Sequence, residues 1–324
     1  MERKLIVLLL TLTSFSLFFT LICIAILAVD MQPLEEEEAG LPSQTTASNS
    51  WEDYSDAVKS PPKIPMETED ASNSWIDSER YMPPNSWTSM SKGLVAHACG
   101  AVGGVAETNS LEALLFNYDM GHRVFEVDLN LTSDGILAGI HDWGANGRIR
   151  SWAELMERKI RGEFTPLSFQ RIVSLLSEHR DLFIITDTKS FDYSDEDMLR
   201  QFEIMQAAAK EKDPEVLNRV VIQIYNQDMY YKITEKYKFS NIIYTLYMTR
   251  DTEDQVVEFV QKEGIKVVVM PPERANDAFL QKLLSIGEIV FLHTLNDMET
   301  VMGWKAKGVS GFYTDYLVPS DFEF

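Results

Sequence analysis

The sequence is short of cysteine and of positive charge, and both shortages narrow what the chain can do. Its two cysteines, Cys23 inside an apolar run and Cys99 beside His97, cannot build a disulfide framework or a zinc–thiolate site. Lys+Arg number 29 against 50 Asp+Glu, a formal net charge of −21, which argues against a nucleic-acid backbone as partner. An anionic substrate would be repelled too, unless a cation stood at the site. A glycine-rich phosphate loop is nearly missing. Gly100–Gly104 (GAVGG) is only a weak version of the turn that holds phosphates in doubly wound sheets. Apolar residues, at 45% of the chain, are ample for a core.

Charge is absent altogether from Leu5 to Val29, 25 residues preceded by Arg3-Lys4 and followed by Asp30 and Glu35–Glu38. A bilayer core needs about 20 apolar residues as helix, whereas the apolar part of a signal peptide is usually about 7–15. The length predicts an uncleaved transmembrane anchor over 1–29, and the flanking charges place the N-terminus in the cytoplasm. If the segment is instead a cleaved signal peptide, the remainder is secreted. Residues 30–92 carry 13 Asp+Glu against 4 Lys+Arg, many Ser and Pro, and little apolar periodicity. Such a composition buries too little to offset the entropy of ordering, so it reads as a disordered acidic linker. Within it Ala47-Ser48-Asn49-Ser50-Trp51 recurs as Ala71-Ser72-Asn73-Ser74-Trp75, with an echo at Asn85-Ser86-Trp87. The repeat reads as a duplicated linker segment, or as spaced tryptophans that dock on a partner or on the folded domain.

From Gly93 to the end, short apolar runs alternate with longer amphipathic ones. Strands are expected at 94–98, 124–131, 182–187, 220–225, 242–247, 265–270, 289–293 and 311–314. Helices are expected at 110–120, 167–179, 195–212, 227–236, 252–263, 276–286 and 297–307. Gly121, Gly264, Gly287 and Gly308 stand where helix C-terminal glycines belong. Ser133-Asp134-Gly135 signals a hairpin whose side strand delivers His141. Strict alternation of strand and helix implies a parallel sheet. Eight units over 93–324 fit a closed (β/α)8 TIM barrel, with a doubly wound open sheet as the alternative.

Chemistry in such a barrel sits at the C-terminal ends of the strands, and the reactive residues cluster there. Glu126 and Asp128 share one face of a strand, because side chains alternate with period 2. Two inward carboxylates are costly without a cation between them, and oxygen ligands of this kind suit Ca²⁺ or Mg²⁺. His97 and His141 flank that strand and can move protons, which together describes a metal-assisted phosphoryl or acyl site. Asp187, Lys189, Gln223, Tyr225 and His293 stand at other strand ends, and Trp143 could wall the mouth. Cys99 reads as a packing residue. His122 and His179 read as structural imidazoles at helix ends.

These residues resemble the glycerophosphodiester phosphodiesterase family, within the PI-phospholipase-C-like barrels. Phe125-Glu126-Val127-Asp128, Leu131-Thr132-Ser133-Asp134-Gly135 and His141-Asp142 match the family's E-x-D, T-x-D-G and H-D. Weaker echoes are Thr165-Pro166-Leu167, Asp187-Thr188-Lys189, Asn109-Ser110-Leu111-Glu112-Ala113 and Gly311-Phe312-Tyr313-Thr314-Asp315. The resemblance implies that Glu126, Asp128 and Asp187 hold a divalent metal ion and that His97 and His141 form the acid–base pair. Lys189, Asn109, Trp143 and Tyr225 are then the expected substrate contacts. Three positions depart from the family: Ala98 replaces the arginine after the first histidine, Thr108 replaces a glutamate, and Asp187 is one methylene shorter than the family's glutamate. An altered phosphate grip follows, with Lys189, Arg148 or Arg150 as candidates to supply it. The sequence therefore predicts a membrane-anchored, extracytoplasmic phosphodiesterase. Its substrate would be a glycerophosphodiester, a teichoic-acid-like polymer or a lipid headgroup. The alternatives are a decayed barrel serving as a binding module, and a sphingomyelinase-D-like phospholipase.

Overall fold

The computed structural model describes residues 83–143, 147–188 and 194–322. The expected anchor and most of the expected linker lie outside these residues, as does Lys189. Among the described residues, no helix is long and apolar enough to cross a membrane.

Nine strands form one sheet: β1 Leu94–Ala96, β2 Val124–Leu131, β3 Leu137–Gly139, β4 Phe183–Thr188, β5 Val220–Ile224, β6 Asn241–Thr245, β7 Val267–Met270, β8 Ile289–Leu292 and β9 Gly311–Thr314. The order β1-β9-β8-β7-β6-β5-β4-β2 is closed by a parallel β1–β2 pairing at Ala96 and Phe125, so eight parallel strands make a barrel. That closure excludes the open sheet. β3 stands outside the ring, antiparallel to β2 through Leu129–Gly139 and Leu131–Leu137, and is the side strand signalled by Ser133-Asp134-Gly135.

The helices are α1 Leu111–Asp119, α2 Trp152–Arg158, α3 Phe169–Glu178, α4 Asp195–Lys212, α5 Gln227–Lys236, α6 Glu253–Glu263, α7 Asp277–Ser285 and α8 Met298–Ala306. Each of these begins the same way. Ser110, Ser151, Ser168, Ser194, Asn226, Thr252, Asn276 and Asp297 accept, through a side-chain oxygen, the backbone N–H three residues on. A cap of this kind stabilises a helix by about 0.5–2 kcal/mol. Gly264 closes α6 at φ 70°, a conformation that costs glycine nothing. The sequence pattern missed α2, a seven-residue helix too short to show a period.

Period-2 alternation divides the core. On β2, Phe125, Val127 and Leu129 face the helices, while Val124 joins Val95, Phe183, Ile185, Val221 and Phe291 inside the barrel. The interior is sealed by a residue the composition had assigned to the linker. Ser86–Gly93 forms a 3-10 turn whose Trp87 is fully buried, with its ring 5.3 Å from Phe291. Asn85 N–H donates to Asn241 Oδ1 at the start of β6, and Ser91 Oγ accepts from Arg123 N–H just before β2. Both anchors stand at the N-terminal ends of strands, so Trp87 closes the bottom of the barrel. Gly311 makes room for this arrangement, since a Cβ there would lie 2.0 Å from the Phe291 ring. The expected linker therefore overran the folded part: residues 83–92 are structured, and the folded part begins no later than Pro83.

Replacing Trp87 by alanine is expected to lower the unfolding free energy by about 3–5 kcal/mol. Urea melts of the full chain check this, and a change under 1 kcal/mol would contradict the role of Trp87 as the barrel floor.

Candidate functional site

The even positions of β2 carry the site. Val124 lies in the barrel, Glu126 and Asp128 stand above it, and Asn130 comes next. β2 pairs with β4 in a register that sets Asp128 beside Asp187. Glu126, Asp128 and Asp187 thus each offer a carboxylate oxygen within 4.8 Å of the others, and they are 2%, 1% and 6% exposed. At that separation each pair of charges repels by roughly 3–4 kcal/mol at an effective dielectric of about 20. Burial adds a desolvation cost that needs compensation.

Neighbouring donors hold the carboxylates in place. Glu126 Oε2 accepts the Ala98 N–H at 2.7 Å. Asn109 grips Asp128 twice, donating from Nδ2 to Oδ2 at 2.8 Å and accepting the Asp128 N–H at 2.9 Å. Asp187 accepts from the Tyr225 hydroxyl and, at 3.4 Å, from that of Tyr247. The Tyr313 hydroxyl is buried and lacks a hydrogen-bond partner. Burial and the nearby charges of Glu126 and Asp187 push its pKa well up. Three buried carboxylates beside an unsatisfied hydroxyl form a hard-oxygen donor set that fits a divalent cation. Asn109 and Tyr225, expected as substrate contacts, bond to this cluster. The Cys99 thiol is fully buried, and burial with the Glu126 and Asp128 charges raises its pKa, which keeps it protonated and inert.

The two histidines differ. β1 ends at Ala96, and His97 opens a 3-10 turn in which Ala98 takes φ 47°. His97 Nδ1 is 2.8 Å from Asp315 Oδ1. Asp315 is in turn held by Asn296, whose Nδ2 donates to Oδ2 and whose Oδ1 accepts the Asp315 N–H, both at 2.7 Å. Burial lowers the pKa of His97, but the Asp315 hydrogen bond and the charges of Glu126, Asp315 and Asp128 overcome it and raise the value to about 9. His141 follows β3, and its side chain is 57% exposed with Nδ1 3.1 Å from Asp142 Oδ2. Its backbone is fixed more firmly than its ring, since Asn130 Nδ2 donates to the carbonyls of Ile140 and His141. His141 and Trp143 line a cavity of about 560 Å³ next to the cluster, together with Thr108 and Arg150.

Other expectations resolve plainly. Arg148 pairs with Glu154 at 2.5 Å, whereas Arg150 reaches the cavity. His293 stacks edge-on to Tyr247 at 5.6 Å. His122 is no imidazolium at a helix end: burial lowers its pKa to about 4 while Leu317 O holds its Nε2. Asp315, Asn296, Tyr247 and Tyr313 were not singled out from the sequence as site residues. Only Asp315 had left a signal there, at the end of a strand-terminal Thr-Asp.

A family model described as the Glycerophosphoryl diester phosphodiesterase family matches residues 100–318. The fold is similar to that of several solved structures. A glycerophosphodiester phosphodiesterase from Parabacteroides distasonis is 16% identical with a TM-score of 0.56, over 68% of this chain and 92% of that one. One from Thermotoga maritima is 19% identical with a TM-score of 0.53, over 68% and 93%. An Oleispira antarctica phosphodiesterase, solved with its product sn-glycerol-3-phosphate, is 16% identical with a TM-score of 0.54, over 69% and 92%. Comparison with curated proteins finds no match.

Two measurements follow from this geometry. In metal-free protein the His97 ring is expected to titrate near 9, and to titrate lower once a divalent cation offsets Glu126 and Asp128; NMR of the imidazole reads both. With the folded value above the unfolded one of about 6.5, the His97 contacts stabilise the metal-free fold fully below pH 6.5. That contribution is lost as pH rises through about 9. Asn109→Ala removes both holds on Asp128 and is expected to weaken divalent-ion binding by about 10–100-fold, measured by calorimetry.

Proposed function

This chain belongs to the glycerophosphoryl diester phosphodiesterase family, and from that premise we propose that it is a divalent-metal-dependent hydrolase of glycerophosphodiester-type bonds. The observation that carries the reading is the buried carboxylate cluster with an Asp-supported histidine at its edge. Glu126, Asp128 and Asp187 would hold the cation, Ca²⁺ or Mg²⁺ by their all-oxygen chemistry. When bound, the ion supplies positive charge against the phosphate and acidifies a bound water or hydroxyl.

The remaining steps belong to the chain's own groups. Asp315 fixes the proton of His97 on Nδ1, which leaves Nε2 to accept a proton from the attacking water. Asp315 then stabilises the imidazolium that forms, as in other Asp–His pairs. His141, exposed at the edge of the cavity, donates a proton to the departing alkoxide. Water adds across one P–O bond, giving a phosphomonoester and an alcohol, and proton exchange with solvent resets both rings. The apolar run Leu5–Val29 supports an anchored chain whose barrel works outside the cytoplasm, and the net charge of −21 opposes nucleic acid as substrate. A lipid-directed form of the same chemistry has one observation in its favour: Tyr247, Met248 and Tyr316, beyond β6 and β9, are 37%, 42% and 55% exposed, an apolar edge on the mouth side. The intact cluster weighs against a decayed binding module.

Turnover of a glycerophosphodiester panel is expected to vanish with EDTA and return with Ca²⁺ or Mg²⁺. His97→Ala and His141→Ala should each cost about 10²–10⁴ in kcat. A loss under threefold for either would remove that histidine from the mechanism. Preference for vesicle-borne over soluble diesters would move the assignment to lipid headgroups.

A further inference from the structure

Positive charge, scarce in this chain, converges on one cavity. The space of about 560 Å³ beside His141 is lined by Arg150, Arg158, Lys159 and Arg161, with Glu107 and Asp142 as its only carboxylates among the described residues. Among the described residues none of the four cations is in an ion pair, although nearby cations are: Arg148 with Glu154 and Arg171 with Glu178. Asp142 faces His141. Two buried donors on lining residues, Arg150 Nε and Trp143 Nε1, have no hydrogen-bond partner. A buried donor left unmade costs about 1–3 kcal/mol.

The local backbone gathers these charges. α2 stops at Arg158, Lys159 and Arg161 adopt φ 54° and 53°, and Gly162 adopts φ 78°. The left-handed conformation is disfavoured for side chains such as these. A bridge in which Ile160 N–H donates to Phe164 O at 2.8 Å ties off the loop. Like charges held together at some conformational cost, none of them in an ion pair among the described residues, outnumber the two carboxylates of the same wall and form half of an ion pair. The cavity also adjoins the reacting centre. Thr108 in its wall precedes Asn109, which holds Asp128, and Ile140 in its wall donates its N–H to the Asp128 carbonyl.

We propose that this cavity is an anion subsite that takes a second phosphate of the substrate, on the leaving-group side of the scissile bond. The assignment rests on the phosphodiesterase reading above, with His141 at the leaving oxygen. Three guanidinium forks suit the oxygens of a phosphate better than a single carboxylate. The preferred substrate is then a diester carrying another phosphate a short polyol away, either in an oligo(polyol phosphate) or on a phosphorylated headgroup.

The test uses the full chain and Arg158→Gln/Arg161→Gln, which leaves Arg150 in place on the Trp143 carbonyl. Inorganic phosphate is first titrated calorimetrically in EDTA, where no divalent ion can hold it at the carboxylates. One-to-one binding that weakens at least tenfold in the double variant supports the subsite; equal binding, or none to wild type, overturns it. With Ca²⁺ or Mg²⁺ restored, kcat/KM is compared for glycerophosphoglycerol, its terminally phosphorylated form and a glycerol phosphate trimer. Wild type should favour the multiply phosphorylated diesters at least tenfold, mainly through KM, and the double variant should lose that preference. The same ratio in both proteins overturns the proposal. Preference for the trimer over the phosphorylated dimer points to a polymer, and the reverse to a headgroup. If phosphate binding depends on Arg158 and Arg161 while no diester is turned over, the subsite stands and the hydrolase reading falls.

Discussion

Three buried carboxylates crowded into one spot make a demand the rest of the structure has to meet. Glu126, Asp128 and Asp187 can coexist only if donors and positive charge surround them. The surrounding elements supply these from several directions: a backbone N–H from the turn after β1, an amide from the loop before α1, hydroxyls from beyond β5 and β6, and, in the metal-free protein, an imidazolium seated on Asp315. Closure of the barrel is what brings such distant stretches together. The apolar layer below, from Val95 to Phe291, keeps water from relaxing the cluster from beneath.

How much of this could be read from the amino acids depends on how local each feature is. Strand β2 declares its inward and outward faces within eight residues, and α4 and α5 start and stop where their apolar periods and capping residues say. Glu126, Asp128 and Asp187 were legible because alternation and strand-end position are local properties. The partnership of His97 with Asp315 spans 218 residues of sequence and exists only because β1 pairs with β9; no window of sequence contains it. Trp87 was hidden by averaging. The composition of 30–92 is that of an unfolded segment, yet its last few residues form the barrel floor. Tyr225 stands at the strand end where it was expected, while its contact with Asp187 was not legible, since only the register of β4 on β5 decides it.

Charge behaves in the same way. A net of −21 describes the far field that a substrate meets first, while the site is governed by a handful of groups whose positions oppose that average. His97 among the carboxylates and the cations around the cavity are local exceptions. Neither would be inferred from composition, and the second arises from a loop whose residues are unremarkable in sequence.

The floor made by Trp87 has a consequence for traffic. With Trp87 closing the lower end of the barrel and an apolar layer beneath the carboxylates, the described residues leave the upper end as the doorway that ion, water and substrate would share. Whatever binds across that doorway also traps what lies beneath it. On the proposed function, the ion would enter before the diester and leave after the products.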